Sequence, residues 1–192
     1  FLTLAICSAL EVKNVLEVVV VDDNSSDNTQ ILVKELMKKN NKIKYFKNMK
    51  NVGSGLSYIR ALKQAKYHFV LMMNSDDFFI PNGIDKLYDF AIKNNLEVAY
   101  GKMAIKKNDG IHRFNHPGYW ENDYCNSRDE LTDLQIFDMY PPSFGTIIKK
   151  EILDGFYNEK YYKKLLTEYG GEFKAHDYDL IINLASKKKK LV

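Results

Sequence analysis

The chain has 192 residues, 45% hydrophobic and 28% charged, with a formal net charge of +3; that is enough for one globular domain with a sizeable core. Such a small charge, without a basic stripe interleaved with aromatics, argues against a nucleic-acid binder, and no apolar run reaches the ~20 residues of a membrane helix. Cys7 and Cys125 are isolated and form neither a metal spacing nor a disulfide framework, so with no signal-peptide pattern a reducing cytoplasm is the expected setting.

Phe1 to Leu10 (FLTLAICSAL) is expected to be the tail of a helix packed on a sheet. Glu17 to Val21 reads as the first strand. It runs into a polar loop over Asp22 to Asn28, where Asp27 and Gln30 are spaced like a helix cap and its reciprocal partner. The next helix carries Ile31, Leu32, Leu36 and Met37 toward the core and ends near Lys39 to Asn41. Ile43 to Phe46 is a short strand. Asn51 to Gly55 (NVGSG) is a glycine-bearing loop before a helix with Leu56, Ile59, Leu62 and Ala65. Such a loop can turn backbone N–H groups toward phosphate, although two glycines also make an ordinary turn.

Tyr67 to Met73 reads as a central strand. Pro81 and Gly83 open a helix bearing Ile84, Leu87, Tyr88 and Ala91, and Glu97 to Tyr100 is another strand. Strands alternating with helices predict a mostly parallel sheet covered on both faces. After Gly101 the texture changes. Met103 to Ile105 and Ile111 to Phe114 read as a hairpin around Asn108, Asp109 and Gly110. Residues 115–133 are polar, aromatic and irregular, with His116, Tyr119, Trp120 and Tyr124, the texture of a binding loop. Phe144 to Ile148 is a late strand, Lys160 to Tyr169 a helix, and His176 to Leu180 opens a last helix. Lys187 to Lys190 is a basic run suited to a solvated helix end or to anionic lipid.

Two stretches carry the chemistry. Glu17 to Thr29 (EVVVVDDNSSDNT) and Phe69 to Pro81 (FVLMMNSDDFFIP) each run from an apolar strand into paired acids. Adjacent carboxylates raise each other's pKa unless a counter-charge is near, and Mg²⁺ or Mn²⁺ is the natural partner for oxygen ligands. Two such strand ends predict one acidic cleft at the carboxyl edge of the sheet, where open α/β sheets bind ligands.

With EVVVVDDNSSDNT, NVGSG, LMMNSDDF and AHDYDL in that order, the chain resembles the family 2 glycosyltransferases of GT-A fold. The resemblance implies a single GT-A-like domain over residues 1–192. Residues 1–101 would bind the nucleotide sugar and residues 102–192 the acceptor. It implies inverting, metal-dependent transfer of a sugar from a nucleotide-diphosphate donor, a UDP-sugar by family habit, to a saccharide or lipid-linked acceptor in bacterial surface polysaccharide or glycoconjugate synthesis. The setting would be cytoplasmic, with possible peripheral contact at the inner face of the membrane.

The implied roles fall residue by residue. Asp22 or Asp23 resembles the acid that accepts from the base ring N–H. Asn51 and Gly53 resemble the loop flanking the nucleotide. Asn74 and Ser75 stand at the start of the DXD-like motif, with Asp76 as the metal ligand, Asp77 beside it, and Mn²⁺ or Mg²⁺ as the ion. Asp177 stands where the family places its catalytic base. There are departures: Asn74 replaces the first DXD acid, and His176 replaces the usual Glu before the base. The QxxRW motif of processive relatives is absent, which implies single-sugar transfer. The family's first strand has no counterpart ahead of Phe1, so the chain is expected to be N-terminally truncated, with two neighbouring strands left unpaired. Two other readings stand beside this one: a non-catalytic nucleotide-sugar-binding remnant, and a phospho-receiver domain, whose acidic-pocket strand VVVVDDN resembles.

Overall fold

A computed structural model describes residues 1–101, 104–107, 109–113 and 145–158, together with residues 160, 161, 163, 164 and 167. The aromatic segment expected at residues 115–133, the last helix with Asp177, and the lysine run lie outside the described residues, as does most of the helix expected at residues 160–169.

The chain order is α1 (Leu2–Glu11), β1 (Val18–Asp22), α2 (Thr29–Lys39), β2 (Ile43–Lys47), α3 (Ser54–Gln64), β3 (Phe69–Leu71), α4 (Pro81–Lys93) and β4 (Val98–Tyr100). It continues with β5 (Ala104–Lys107), β6 (Gly110–Arg113), β7 (Thr146–Lys149) and α5 (Lys150–Phe156). Among the described residues, each apolar run and each helical stripe read from the sequence forms its element within a residue or two. The α2 start differs in detail. Asn28 holds the cap position, so Asp27 acts from one residue further out, its carboxylate accepting from the Thr29 N–H at 2.9 Å.

β1 and β2 pair in parallel, Val20 opposite Tyr45. The second sheet has an order that the local pattern did not reveal. β7 lies between β3 and β4 and runs antiparallel to both, with Val70 and Val98 each opposite Ile148. β3 and β4 therefore share a direction without touching. Ile148 is the pivot, fully buried beneath Leu62, Met72 and Leu153. β5 and β6 form the expected hairpin, with Lys107 opposite Gly110. Gly110, expected in the turn, is instead the first residue of β6.

α1, α2 and β2 bury Ile6, Val33 and Ile43 together, with Val20 of β1 packed on that cluster. Side chains alternate along a strand, so Val19 and Val21 face the other way, toward α3. α3 in turn buries Leu56, Ile59 and Leu62 against β7 and α5. The result is a layered α/β body with helices on both sides of the strands. Its α5 went unread in the sequence because it is only seven residues long and carries Gly155. The Ile152 and Phe156 pair, four apart and both buried, was the available signal.

Between β1 and β3 lies a cleft of about 1080 Å³. Val18–Val21 line one wall and Phe69–Met73 the other, with Ala5, Ile6 and Ala9 of α1 and Ser57, Ala61 and Leu62 of α3 also lining it. The two walls run in the same direction. At their amino ends the Glu17 carboxylate accepts from the Lys66 N–H at 2.6 Å. At their carboxyl ends both strands reach the first turn of α3: Asn48 joins Asp23 to Ser57, and the Tyr58 hydroxyl donates to the Asn74 side chain. Among the described residues, neither β1 nor β3 has a strand paired on the edge that faces the cleft.

Candidate functional site

The polar mouth of the cleft is built from three strand or helix ends. Asp22 ends β1, with Asp23 and Ser25 after it; Ser54, Ser57 and Tyr58 open α3; Asn74, Ser75 and Asp76 follow β3, and all of them line the same cavity. The structure thus brings the two acidic strand tips together.

Adjacent in sequence, Asp22 and Asp23 point to different partners. Asp22 is 4% exposed. Its carboxylate accepts from the Ser25 N–H at 2.7 Å and the Tyr45 hydroxyl at 2.5 Å, with the Lys47 ammonium at 3.6 Å. Burial pulls its pKa up, but the hydrogen bonds from Tyr45 and Ser25 and the Lys47 charge outweigh burial and hold it below the usual carboxylate range. The Tyr45 phenol is pushed up, first by burial and then by the Asp22 hydrogen bond and charge. Asp22 therefore ties β1 to β2.

Asp23 faces the glycine loop. One oxygen accepts from the Val52 N–H at 2.9 Å and the Asn48 amide at 2.8 Å, and the other accepts from the Gly53 N–H at 2.8 Å. Gly53 has φ 86° and caps α3, a backbone region that L side chains disfavour. The Asn51 side chain also accepts from the Gly53 N–H, at 3.2 Å. The loop is thus folded onto Asp23, and the α3 N-terminus, with its unsatisfied N–H groups, opens on the cleft. A carboxylate offers about four acceptor positions. Three on Asp23 are used, which leaves a lone-pair direction for a ligand N–H.

At the β3 tip, the Asn74 oxygen accepts from Tyr58 at 2.9 Å and its amide donates to Asp77 at 3.2 Å. The Asn74 amide is therefore oriented. Asp76 is exposed on the rim of the cleft. Among the described residues, no three His, Cys, Asp or Glu side chains gather into a metal cluster. Asp76 offers hard carboxylate oxygen at the cavity, while Asp77 beside it is not among the lining residues and accepts from Asn74. Oxygen donors of this kind suit an Mg²⁺-type ion that keeps most of its waters, rather than an ion enclosed by protein. Sequence reasoning missed Asn48, Tyr58 and Arg60. They occupy unremarked loop and helix positions, and only the folded chain places them beside the acids.

This layered fold, with a glycine-bearing loop and two acidic strand ends around one cleft, is that of the GT-A nucleotide-sugar enzymes. The Staphylococcus aureus TarS 1–349 structure superposes with a TM-score of 0.66 at 24% identity, covering 81% of this chain and 45% of that one. Its complex with UDP-GlcNAc gives 0.64 at 25% identity, over 81% and 43%. Residues 1–155 match the family described as glycosyl transferase family 2, and this chain belongs to it. That membership removes the receiver-domain alternative. The match ends before Asp177.

Among curated relatives, the Escherichia coli UDP-Glc:alpha-D-GlcNAc-diphosphoundecaprenol beta-1,3-glucosyltransferase WfgD is 35% identical over 50% of this chain and 37% of its own length. The Campylobacter jejuni GalNAc(5)-diNAcBac-PP-undecaprenol beta-1,3-glucosyltransferase is 27% identical over 85% of this chain and 52% of its own. The chain thus spans between about a third and a half of these relatives. Among the described residues no helix is long and apolar enough to cross a membrane.

Proposed function

We propose that this chain carries the donor side of an inverting glycosyltransferase. It would move a sugar from a nucleotide-diphosphate donor to a hydroxyl of a saccharide or lipid-linked acceptor, in synthesis of a bacterial surface polysaccharide or glycoconjugate. The observation that carries this reading is the convergence of the Asp22–Asp23 and Asn74–Asp76 tips on one cavity at the α3 N-terminus. UDP is the nucleotide to favour, because TarS structures with UDP and UDP-GlcNAc share the fold at 25% identity. A lipid-linked acceptor is supported by the undecaprenol-linked names of two relatives. Such an acceptor would bring the protein to the inner face of the cytoplasmic membrane, where the Lys187 to Lys190 run would meet anionic lipid.

In this reading the open lone pair of Asp23 accepts from the base ring N–H. The α3 N-terminus beyond Gly53 faces the diphosphate, and Asn74 and Ser75 hold the ribose side. Asp76 and Asp77 would hold Mn²⁺ or Mg²⁺, which as a Lewis acid would stabilise charge on the departing diphosphate. Asp177, at the position the family gives its base, takes the proton from the acceptor hydroxyl. The acceptor oxygen bonds to the anomeric carbon as the bond from that carbon to the phosphate oxygen breaks. The electron pair leaves with the nucleoside diphosphate and configuration inverts.

The test is a screen of UDP-glucose, UDP-GlcNAc and other nucleotide sugars, with and without Mn²⁺, reading nucleotide release and sugar transfer to an undecaprenyl-diphosphate-linked acceptor. Transfer from one donor is expected, reduced at least 100-fold in Asp177→Asn with UDP affinity intact, and weakened in Asp76→Asn with a higher Mn²⁺ requirement. Binding of UDP without any transfer would make the chain a non-catalytic remnant. Full turnover in Asp177→Asn would remove its role as base.

A further inference from the structure

Asn48 is a loop residue beyond the end of β2, and it is 6% exposed. Its backbone N–H donates to the Asp22 carbonyl at 2.8 Å. Its side-chain amide donates to Asp23 at 2.8 Å and to the Ser57 hydroxyl at 3.0 Å, while its oxygen accepts from the Arg60 guanidinium. Arg60 is held in turn, donating to the Lys47 carbonyl at 2.9 Å and standing 6.0 Å from the centre of the Phe46 ring. Asn48 therefore joins β1, β2 and the first two turns of α3 at one buried point.

The polarity of this arrangement is forced. Arg60 can only donate, and an ionised carboxylate at Asp23 can only accept. An asparagine amide between them has one orientation, with oxygen toward Arg60 and nitrogen toward Asp23. That orientation fixes the Asp23 carboxylate, whose two oxygens hold the Val52 and Gly53 N–H groups. Gly53 is the cap of α3, so the aim of the first α3 amides into the cleft depends on a residue outside the ligand's reach.

We propose that Asn48 is a positioning residue for donor binding: held by Arg60, it sets Asp23 and through Asp23 the glycine loop that opens α3. In its kinetic part this rests on the function proposed above. Its structural part does not.

Two readouts on the full chain test it. The first is amide hydrogen exchange at Val52 and Gly53, which needs no substrate. Asn48→Ala is expected to speed both at least tenfold. Arg60→Gln leaves the buried amide in place but frees it to turn, and is expected to speed them about threefold. Asp85→Ala, which removes hydrogen bonds elsewhere, controls for general loss of stability and should leave both amides unchanged. The second readout is kinetic: Asn48→Ala should raise KM for the nucleotide sugar about tenfold with kcat within twofold, and Asp85→Ala should change neither. Wild-type exchange at Val52 and Gly53 in both the Asn48 and Arg60 variants would overturn the proposal. So would equal acceleration in Asp85→Ala. If the wild-type chain transfers no sugar, the functional reading fails while the exchange result still decides the role of Asn48.

Discussion

Two adjacent aspartates at one strand tip do opposite things because a strand alternates its side chains. Asp22 turns toward Tyr45 and Lys47, and Asp23 toward the Val52–Gly53 loop. The consequence for Asp22 is a pH dependence with a definite sign. Its pKa is lower in the fold than the ordinary value of 3.8, so the native state favours the ionised form. That stabilisation is fully present above the unfolded pKa and is lost as pH falls through the lower, folded value. Replacing Asp22 by Asn keeps the shape but removes the charge from hydrogen bonds to Tyr45 and Ser25. The expected cost is about 2 kcal/mol at neutral pH. Urea melts of both proteins should show that gap undiminished down to about pH 5 and closing at lower pH. A gap that persists unchanged in acid would mean that the carboxylate charge contributes nothing.

At the scale of elements, the joint between α1 and β1 is held from outside. The Asp85 carboxylate on α4 accepts from the Lys13 N–H at 3.1 Å, the Asn14 N–H at 3.1 Å and the Asn14 side-chain amide at 3.0 Å. These are hydrogen bonds to a charged acceptor spanning about seventy residues of sequence. Asp85→Ala should cost about 2 kcal/mol and lower the melting temperature by roughly 6 °C, read by calorimetry. It is also the level at which the sequence was most and least legible. β1, α2, β2, α3, β3, α4 and β4 could be read because each carries a strong apolar period between Gly, Pro or Asn breaks. The acid pairs could be read because they follow apolar strands directly. The antiparallel insertion of β7 could not, since pairing order is decided by which edges remain open after folding, and nothing local to Thr146–Lys149 encodes it. Asn48, Tyr58 and Arg60 stayed hidden for the same reason: their chemistry exists only where three elements meet.

At the scale of the molecule, the described residues enclose a cleft between β1 and β3, apolar along its length and acidic at its mouth. Its walls are strand edges, and an edge has free backbone groups that alternate in direction. In β1 the Val18 N–H donates to the Lys42 carbonyl and the Asp22 carbonyl accepts from the Asn48 N–H, so Val18, Val20 and Asp22 turn their backbone groups toward β2. Alternation then turns the backbone groups of Val19 and Val21 into the cleft. Both edges open onto one space, and no described strand pairs there. If the cleft is open in solution, amide exchange should separate residues only one position apart: Val19 and Val21 fast, Val18 and Val20 slow, by at least a hundredfold. Strand-wide opening would instead give all four residues one common rate. Uniform protection of all four would show that the inner edge of β1 is covered, and that the cleft is closed by something seated along it.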